Sequence, residues 1–161
     1  MTERHDEAGN VVGAELDSFQ VVKSLPNAFA GGTANARGDV DGTSASLKLF
    51  EVTGDVIVRI FGVCTVDLVG AGTLEVGITG NTAVLLPQVS DATTIDANDI
   101  WVDATVAEVG AAHLADAPEA TIIVNGLDIY EKSGSTNITA GQIYYVCLWR
   151  PLTPGSKVVA A

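Results

Sequence analysis

The chain has 161 residues, of which 47% are hydrophobic, and a net charge of −12. This composition excludes a fully disordered chain, and the length fits one domain or one domain with an arm. Twenty acidic against eight basic residues also argue against nucleic acid and anionic membranes as partners, because both are polyanions.

The first 44 residues differ from the rest of the chain. They are rich in Gly, Ala, Asn and Asp, and their apolar residues form short islands at 11–12, 19–22 and 25–29. Such a segment cannot build its own core, and ordering it costs about 1–2 kcal/mol per residue in backbone entropy. We therefore expect residues 1–44 to be an extended arm or linker that runs over another subunit or a larger assembly. The candidate partner-binding anchors in it are Phe19, Val21, Val22, Leu25 and Phe29.

Residues 45–161 have the pattern of an all-β domain, in which Gly, Asn and Asp separate segments rich in Val, Ile, Thr and aromatic residues. Asn125 and Gly126 lie between two apolar runs, which predicts a hairpin whose turn has positive φ at both residues. Residues 104–117 are the single candidate helix, with a loop that holds one helical turn as the alternative. The candidate strands lie at about 46–53, 55–68, 72–79, 82–87, 99–106, 120–125, 127–132 and 142–150.

Short strands at this spacing predict an antiparallel β-sandwich, with a jelly roll as the leading topology and a small closed barrel as the alternative. Two of the strands, 56–64 and 143–149, are apolar at both odd and even positions. This pattern indicates burial on both faces, by a second sheet on one side and by another chain or the arm on the other. Candidate core or inter-subunit residues on these strands are Phe61, Tyr144, Tyr145 and Trp149.

Acidic residues are concentrated in the middle of the chain. Eleven of the twenty lie between Arg59 and Lys132, an interval without Lys or Arg, and we expect them to form a solvated, negatively charged loop surface. One group of four oxygen-bearing side chains is a weak calcium candidate, because calcium takes oxygen ligands from flexible loops. The alternative is a turn that an aspartate caps. The four residues are Asp91, Asp96, Asn98 and Asp99.

No arrangement of residues predicts catalysis or a cofactor. The two histidines, His5 and His113, have no neighbours at metal-ligand spacing, and no nucleophile elbow is present. Cys64 and Cys147 both lie in apolar runs, which favours small buried hydrophobes over a bridge between adjacent strands. The tripeptide at 37–39 has the residues of an integrin-binding motif, but we interpret it as a turn.

The sequence also shows no targeting or membrane segment. Its first seven residues are polar and acidic, unlike the basic and then apolar start of a secretory signal. The longest apolar runs are far shorter than the roughly 20 residues that a membrane helix needs. We therefore expect a protein that folds in a reducing cytoplasm.

Three runs of the sequence resemble small structural proteins of tailed bacteriophages: FEVTGDVIVRIFGV at 50–63, GTLEVG at 72–77 and YYVCLWRPL at 144–152. The resemblance spans roughly residues 46–152 and implies a virion component without enzymatic activity. Small acidic β-sandwich proteins of this size commonly resemble capsid decoration, or cement, proteins. Those proteins sit as trimers over the three-fold positions of the head lattice and grip the capsid with an N-terminal arm.

We therefore expect a non-enzymatic capsid decoration protein that forms a homo-oligomer, with a trimer favoured. Its other partner would be the major capsid protein. It would lie on the exterior of the virion capsid after assembly in the host bacterial cytoplasm. The alternatives are a receptor- or glycan-binding module of a tail or fibre, and another structural component of the head or tail.

Overall fold

The structure is a computed structural model that describes residues 19–25, 27–42, 45–102 and 119–161. These residues form β-strands and short 3-10 turns such as Ala92–Thr94, so the predicted all-β class is confirmed. The strands are β1 (Gln20–Lys23), β2 (Asn27–Ala28), β3 (Ser46–Thr53), β4 (Val56–Val69), β5 (Thr73–Ile78), β6 (Asn81–Val89), β7 (Ile100–Trp101), β8 (Thr121–Ile123), β9 (Ile129–Gly134), β10 (Ala140–Pro151) and β11 (Lys157–Ala160).

The strands form two antiparallel sheets. Sheet 1 has the order β1–β10–β4–β7, with β2 also paired to β10 and β8 also paired to β4. Sheet 2 has the order β11–β3–β9–β5–β6. The chain changes sheet between β3 and β4, whereas β5 and β6 form a hairpin within sheet 2. The longest pairing joins β4 to β10 and runs from Val56 opposite Pro151 to Val69 opposite Ala140.

The two sheets share one hydrophobic core. In β4 the side chains at even positions from Val56 to Cys64 are buried and the odd ones are half-buried, because successive side chains of a strand point to opposite faces. The same alternation directs Ile143, Tyr145, Cys147 and Trp149 of β10 inward. Sheet 2 contributes buried residues such as Phe50, Leu74 and Ile129 to the same cluster.

Most predicted strands agree with the observed ones to within a few residues, and β3 has the predicted bounds. The turn at Asn125 and Gly126 has the predicted positive φ at both residues, 59° and 66°. The predicted hairpin is nevertheless wrong, because β8 pairs with β4 in sheet 1 whereas β9 pairs with β3 and β5 in sheet 2. The candidate helix at 104–117 lies outside the described residues.

The described part of residues 1–44 packs against both sheets. β1 and β2 pair with β10. The loop that follows is joined by hydrogen bonds to Asn137 and Ile138. The Gly31 amide donates to the Ile138 carbonyl at 3.0 Å, and the Ile138 amide donates to the Gly38 carbonyl at 3.0 Å. The Val40 amide donates to Asn137 Oδ1 at 3.0 Å. Gly38 has φ of 91°, and a Cβ there would collide with the Ile138 carbonyl oxygen. The proposed boundary between residues 44 and 45 stays a prediction.

Candidate functional site

The outer face of sheet 1 is apolar, which is unusual for an antiparallel sheet whose other face packs on a core. Because even positions of β4 and odd positions of β10 point into the core, the remaining positions point outward. The register places Phe61 opposite Val146 and Val63 opposite Tyr144 on this face. Val21 of β1 is opposite Leu148, and Ile122 of β8 is opposite Ile57. The two edge residues, Val21 and Ile122, are each 61% exposed.

We call this surface the apolar–basic face. On β1 and β10 it consists of Val21, Lys23, Tyr144, Val146, Leu148 and Arg150, and on β4, β7 and β8 of Ile57, Arg59, Phe61, Val63, Ile100 and Ile122. None of these outward positions carries a carboxylate, although the chain has twenty. Three of its eight cations lie here.

Aromatic rings cover the cations of the face. The Arg59 and Arg150 guanidinium carbons lie 5.2 and 5.5 Å from the centre of the Phe19 ring, and Lys23 Nζ lies 5.5 Å from that of Tyr144. Such contacts stabilise a cation by roughly 0.5–1 kcal/mol at an exposed site. Arg59 Nε is buried, and no hydrogen-bond partner for it exists among the described residues. A buried donor of this kind favours a partner that brings an acceptor.

The outer face of sheet 2 has a different composition. Lys48 Nζ lies 3.4 Å from Glu51 Oε1 and 3.1 Å from Asp128 Oδ2. Lys132 Nζ lies 4.0 Å from Glu75 Oε1. Lys48 and Lys132 on this face are therefore each close to a carboxylate of the same sheet, Glu51 and Glu75.

A buried ion pair positions the loop that follows β2. Arg37 Nε donates to Glu131 Oε1 at 2.8 Å, and a second guanidinium nitrogen contacts Glu131 Oε2. Tyr145 donates its hydroxyl to the same Oε2 at 2.6 Å, and Arg37 also donates to the carbonyls of Ile143 and Asn27. The cluster thus joins the loop to β9 of sheet 2 and β10 of sheet 1.

Electrostatics keep the Arg37 guanidinium charged and the Tyr145 hydroxyl protonated. Burial lowers the pKa of the Arg37 guanidinium, but the charge and hydrogen bond of Glu131 outweigh that effect, and the net pKa is raised. Burial, and then the Glu131 charge, raise the pKa of Tyr145 well above its ordinary value.

Arg37 and Asp39, the outer residues of the tripeptide at 37–39, are both buried. Asp39 Oδ2 accepts from the Asn35 amide at 2.7 Å. The tripeptide at 37–39 is therefore a structural turn, as interpreted from the sequence.

Sequence reasoning did not identify the Arg37–Glu131–Tyr145 cluster. One signal was present in the sequence. Glu131 lies two residues from Ile129 and from Ser133, and the three side chains therefore point to the same, inward face of β9. A carboxylate on the core side of a strand requires a buried partner. Arg37 lies 94 residues away in a glycine-rich loop, and no local pattern links the two positions.

The five predicted anchors fall in different environments. Phe29 is 3% exposed and packs in the protein's own core beneath the Arg37 guanidinium, 4.1 Å from its ring centre. Val22 is half-buried against that core. Phe19 and Val21 lie on or against the apolar–basic face. Leu25, beyond β1, is 62% exposed.

The four predicted core or inter-subunit residues lie on two different faces of sheet 1, because successive side chains of a strand point to opposite sides. Tyr145 and Trp149 point into the core, where the Tyr145 ring lies 6.1 Å from that of Trp101 at an interplanar angle of 60°. Phe61 and Tyr144 are half-buried on the apolar–basic face.

The weak calcium candidate is a set of turn contacts. Asp91 Oδ1 accepts from the Thr93 hydroxyl at 2.6 Å and from the Thr93 amide at 2.9 Å, and these two hydrogen bonds lower the pKa of Asp91. Asp99 Oδ2 accepts from the Asp96 amide at 2.9 Å. Asn98 has φ of 76° in the same turn. Among the described residues, no group of three or more His, Cys, Asp or Glu is arranged to hold a metal ion.

The two cysteines are buried free thiols. They lie on neighbouring strands but not opposite each other, since Cys64 is opposite Ile143 and Cys147 is opposite Ile60. Burial raises the pKa of Cys64 to about 11 and that of Cys147 to about 12.

Comparisons with protein-family models, with curated proteins and with solved structures found no match for this chain. In the part of the chain that the structure describes, no helix has the length and apolar character to cross a membrane.

Proposed function

We propose that this protein is a non-enzymatic structural protein of a tailed-phage virion, specifically a capsid decoration protein that forms a homo-oligomer on the head lattice. The observation that supports this most is the apolar–basic face. An apolar surface of this extent on an otherwise acidic protein is typical of a protein–protein contact. It lies on the two strands that the sequence predicted to be covered on both sides.

The strand pairing supports the finer proposal of a jelly-roll β-sandwich. In a jelly roll a long hairpin is wound so that strands pair from the innermost outward. Here β5 pairs with β6, β4 with β7 and β8, β3 with β9, and β1 with β10. Jelly rolls are frequent in viral capsid proteins and in lectins, so the fold alone does not decide between decoration and glycan binding.

The physical role proposed for the oligomer is to hold capsid subunits together. Internal pressure strains the joints of a filled head, and a trimer that contacts several subunits at once gains avidity from its repeated contacts. We assign lattice attachment to the N-terminal region, where Leu25 is exposed beyond β1. A trimer is the favoured oligomer because of its fit to three-fold lattice positions.

Two observations make the glycan-binding alternative less favourable. Sugar sites use exposed aromatic rings, and Trp101, which follows the acidic loop, is fully buried. The aspartates of that loop accept hydrogen bonds from their own turn.

The copy number of the protein in purified particles tests the proposed function. Mass spectrometry against the major capsid protein should give hundreds of copies per particle, and electron microscopy should place them outside the head. About six to twelve copies would indicate a connector component with closed ring symmetry and would contradict decoration. Complete absence from particles would contradict any virion role.

A further inference from the structure

We infer that residues 1–18 of one copy bind across the apolar–basic face of a neighbouring copy, so that the oligomer is held by exchanged arms. This inference rests on the proposed homo-oligomer and names the surface and the segment that form its contact.

Charge excludes the simplest arrangement, in which two such faces pack against each other. Arg59 and Lys23 lie on the face, and none of the outward positions that define it carries a carboxylate. A two-fold contact would therefore bring cations together in a partly desolvated interface, where like charges cost several kcal/mol. The occupant must instead carry acidic as well as apolar side chains.

The N-terminal segment has this chemistry. Residues 1–18 contain five carboxylates and one arginine, with apolar residues at 11–12, 14 and 16. In its last part, Glu15 and Asp17 flank Leu16. By contrast, the carboxylates on the outer face of sheet 2 are already paired with Lys48 and Lys132. An acidic group of the segment would supply the acceptor that Arg59 Nε lacks.

The segment is long enough to cross the face. Four neighbouring strands span about 14 Å from first to last, at roughly 4.8 Å per step. Eighteen residues reach up to about 60 Å when extended. Residues 11–17 alone would therefore cross it.

The start of β1 favours binding to a second copy. Gln20 is opposite Trp149, two residues before the Pro151 end of β10. A segment that continued the direction of β1 would pass beyond this sheet within about two residues rather than turn across it. A face contacted by a different part of the next copy is a heterologous interface, and such interfaces close into rings such as a trimer.

Charge reversal combined with mixing tests the inference. Arg59→Glu changes the face, and the double substitution Glu15→Lys with Asp17→Lys changes the segment. Each variant should raise the dissociation constant of the oligomer by at least about tenfold in sedimentation experiments. The triple variant should restore association to within about threefold of wild type. Arg59→Gln, a milder change, should give a smaller loss in the same direction, and Lys157→Glu on β11 is the matched control.

Mixing the face variant with the segment variant gives the sharpest result. In the mixture each face is complementary only to the segment of the other variant, so the two variants should associate in alternation, one to one, whereas each variant alone stays dissociated. If wild type associates but reversals, triple variant and mixture all behave like wild type, the arm exchange is wrong and the homo-oligomer stands. If wild type is monomeric at every concentration, both the inference and the oligomer in the proposed function are wrong. Circular dichroism of each variant verifies folding.

Discussion

The outer faces of the two sheets cover the shared core with different kinds of side chain. Sheet 2 covers its core with a polar layer in which Lys48 and Lys132 contact carboxylates of their own sheet. Sheet 1 covers the same core with Phe61, Val146 and Leu148, and Lys23 and Arg59 on this face contact aromatic rings. The outward side chains of sheet 2 are therefore mostly polar, whereas those of sheet 1 are mostly apolar. The outward side of sheet 1 has the composition of an interface core.

The largest expected effect is on stability, and it compares the loss of a buried charge in sheet 2 with the loss of an exposed charge on its outer face. Glu131→Gln leaves Arg37 buried without its counter-charge, and we expect a loss of about 3–5 kcal/mol in the free energy of unfolding. Glu51→Gln, on the exposed outer face, should change stability little. Urea denaturation of the two variants gives the comparison. Equal midpoints for Glu131→Gln and wild type would contradict the structural role of the cluster.

A second variant of this cluster distinguishes lost charge pairing from lost packing. Replacing both partners, Arg37→Met with Glu131→Leu, should recover much of the stability that Glu131→Gln loses, because no buried charge remains unpaired. A double variant less stable than Glu131→Gln would show that packing around the loop dominates.

The next effect concerns association and compares one apolar residue from each sheet. Leu148→Glu places a charge in the middle of the apolar–basic face, and we expect it to weaken self-association by at least about tenfold, or about 1.4 kcal/mol. Val84→Glu on β6 makes the same kind of change at a residue of sheet 2 and should leave association unchanged. Light scattering across a concentration series measures both. Equal effects from the two substitutions would remove the distinction between the faces.

Alkaline pH tests the core that both faces share. The folded pKa values of Cys64 and Cys147 are raised, to about 11 and about 12, and that of Tyr145 is raised as well. A group with a raised folded pKa favours the native state below its unfolded pKa, and this contribution falls as the pH rises toward the folded value. Stability should therefore decline above about pH 9, by up to about 1.4 kcal/mol per pH unit for each thiol.

Cys147→Ala provides the control for this decline. The variant should be less stable near neutral pH, because it removes a buried group. Its stability should nevertheless fall less steeply between about pH 9 and 11. An identical slope in wild type and variant would show that the thiol does not contribute to the pH dependence.

The smallest expected effect is that of calcium on the acidic loop between β6 and β7. Because Asp91 and Asp99 accept hydrogen bonds from their own turn, millimolar calcium should leave the melting temperature unchanged in buffer of matched ionic strength. A rise in the melting temperature with calcium but not with magnesium would support a metal site and, with it, the glycan-binding alternative.

Several parts of the fold could be predicted from the sequence. Alternation and turn residues gave β3 to β10 with small errors at the ends, because these strands carry repeated Val and Ile and are bounded by Gly or Asn. The apolar odd and even positions of β4 and β10 also predicted that the outward side of sheet 1 would be apolar. These features depend on local pattern, which the sequence records directly.

Other parts depended on contacts between distant residues. β1 and β11 are only four residues long, too short for their alternation to stand out, and each is defined by the strand that it pairs with. The hairpin predicted at Asn125 and Gly126 failed because a turn type does not determine which sheet each neighbouring strand joins. Phe29 looked like a free anchor because nothing nearby in the chain shows that Arg37 covers it.

The most direct test of the account compares two half-buried tyrosines, Tyr144 on the apolar–basic face and Tyr130 on the outer face of sheet 2. Hydroxyl-radical footprinting of the full-length protein across a concentration series measures how accessible each ring is. We predict that the modification of Tyr144 falls as the protein assembles, whereas that of Tyr130 stays constant. Equal modification of Tyr144 in dilute and concentrated protein, under conditions where light scattering shows assembly, would contradict the assignment of this face as the interface.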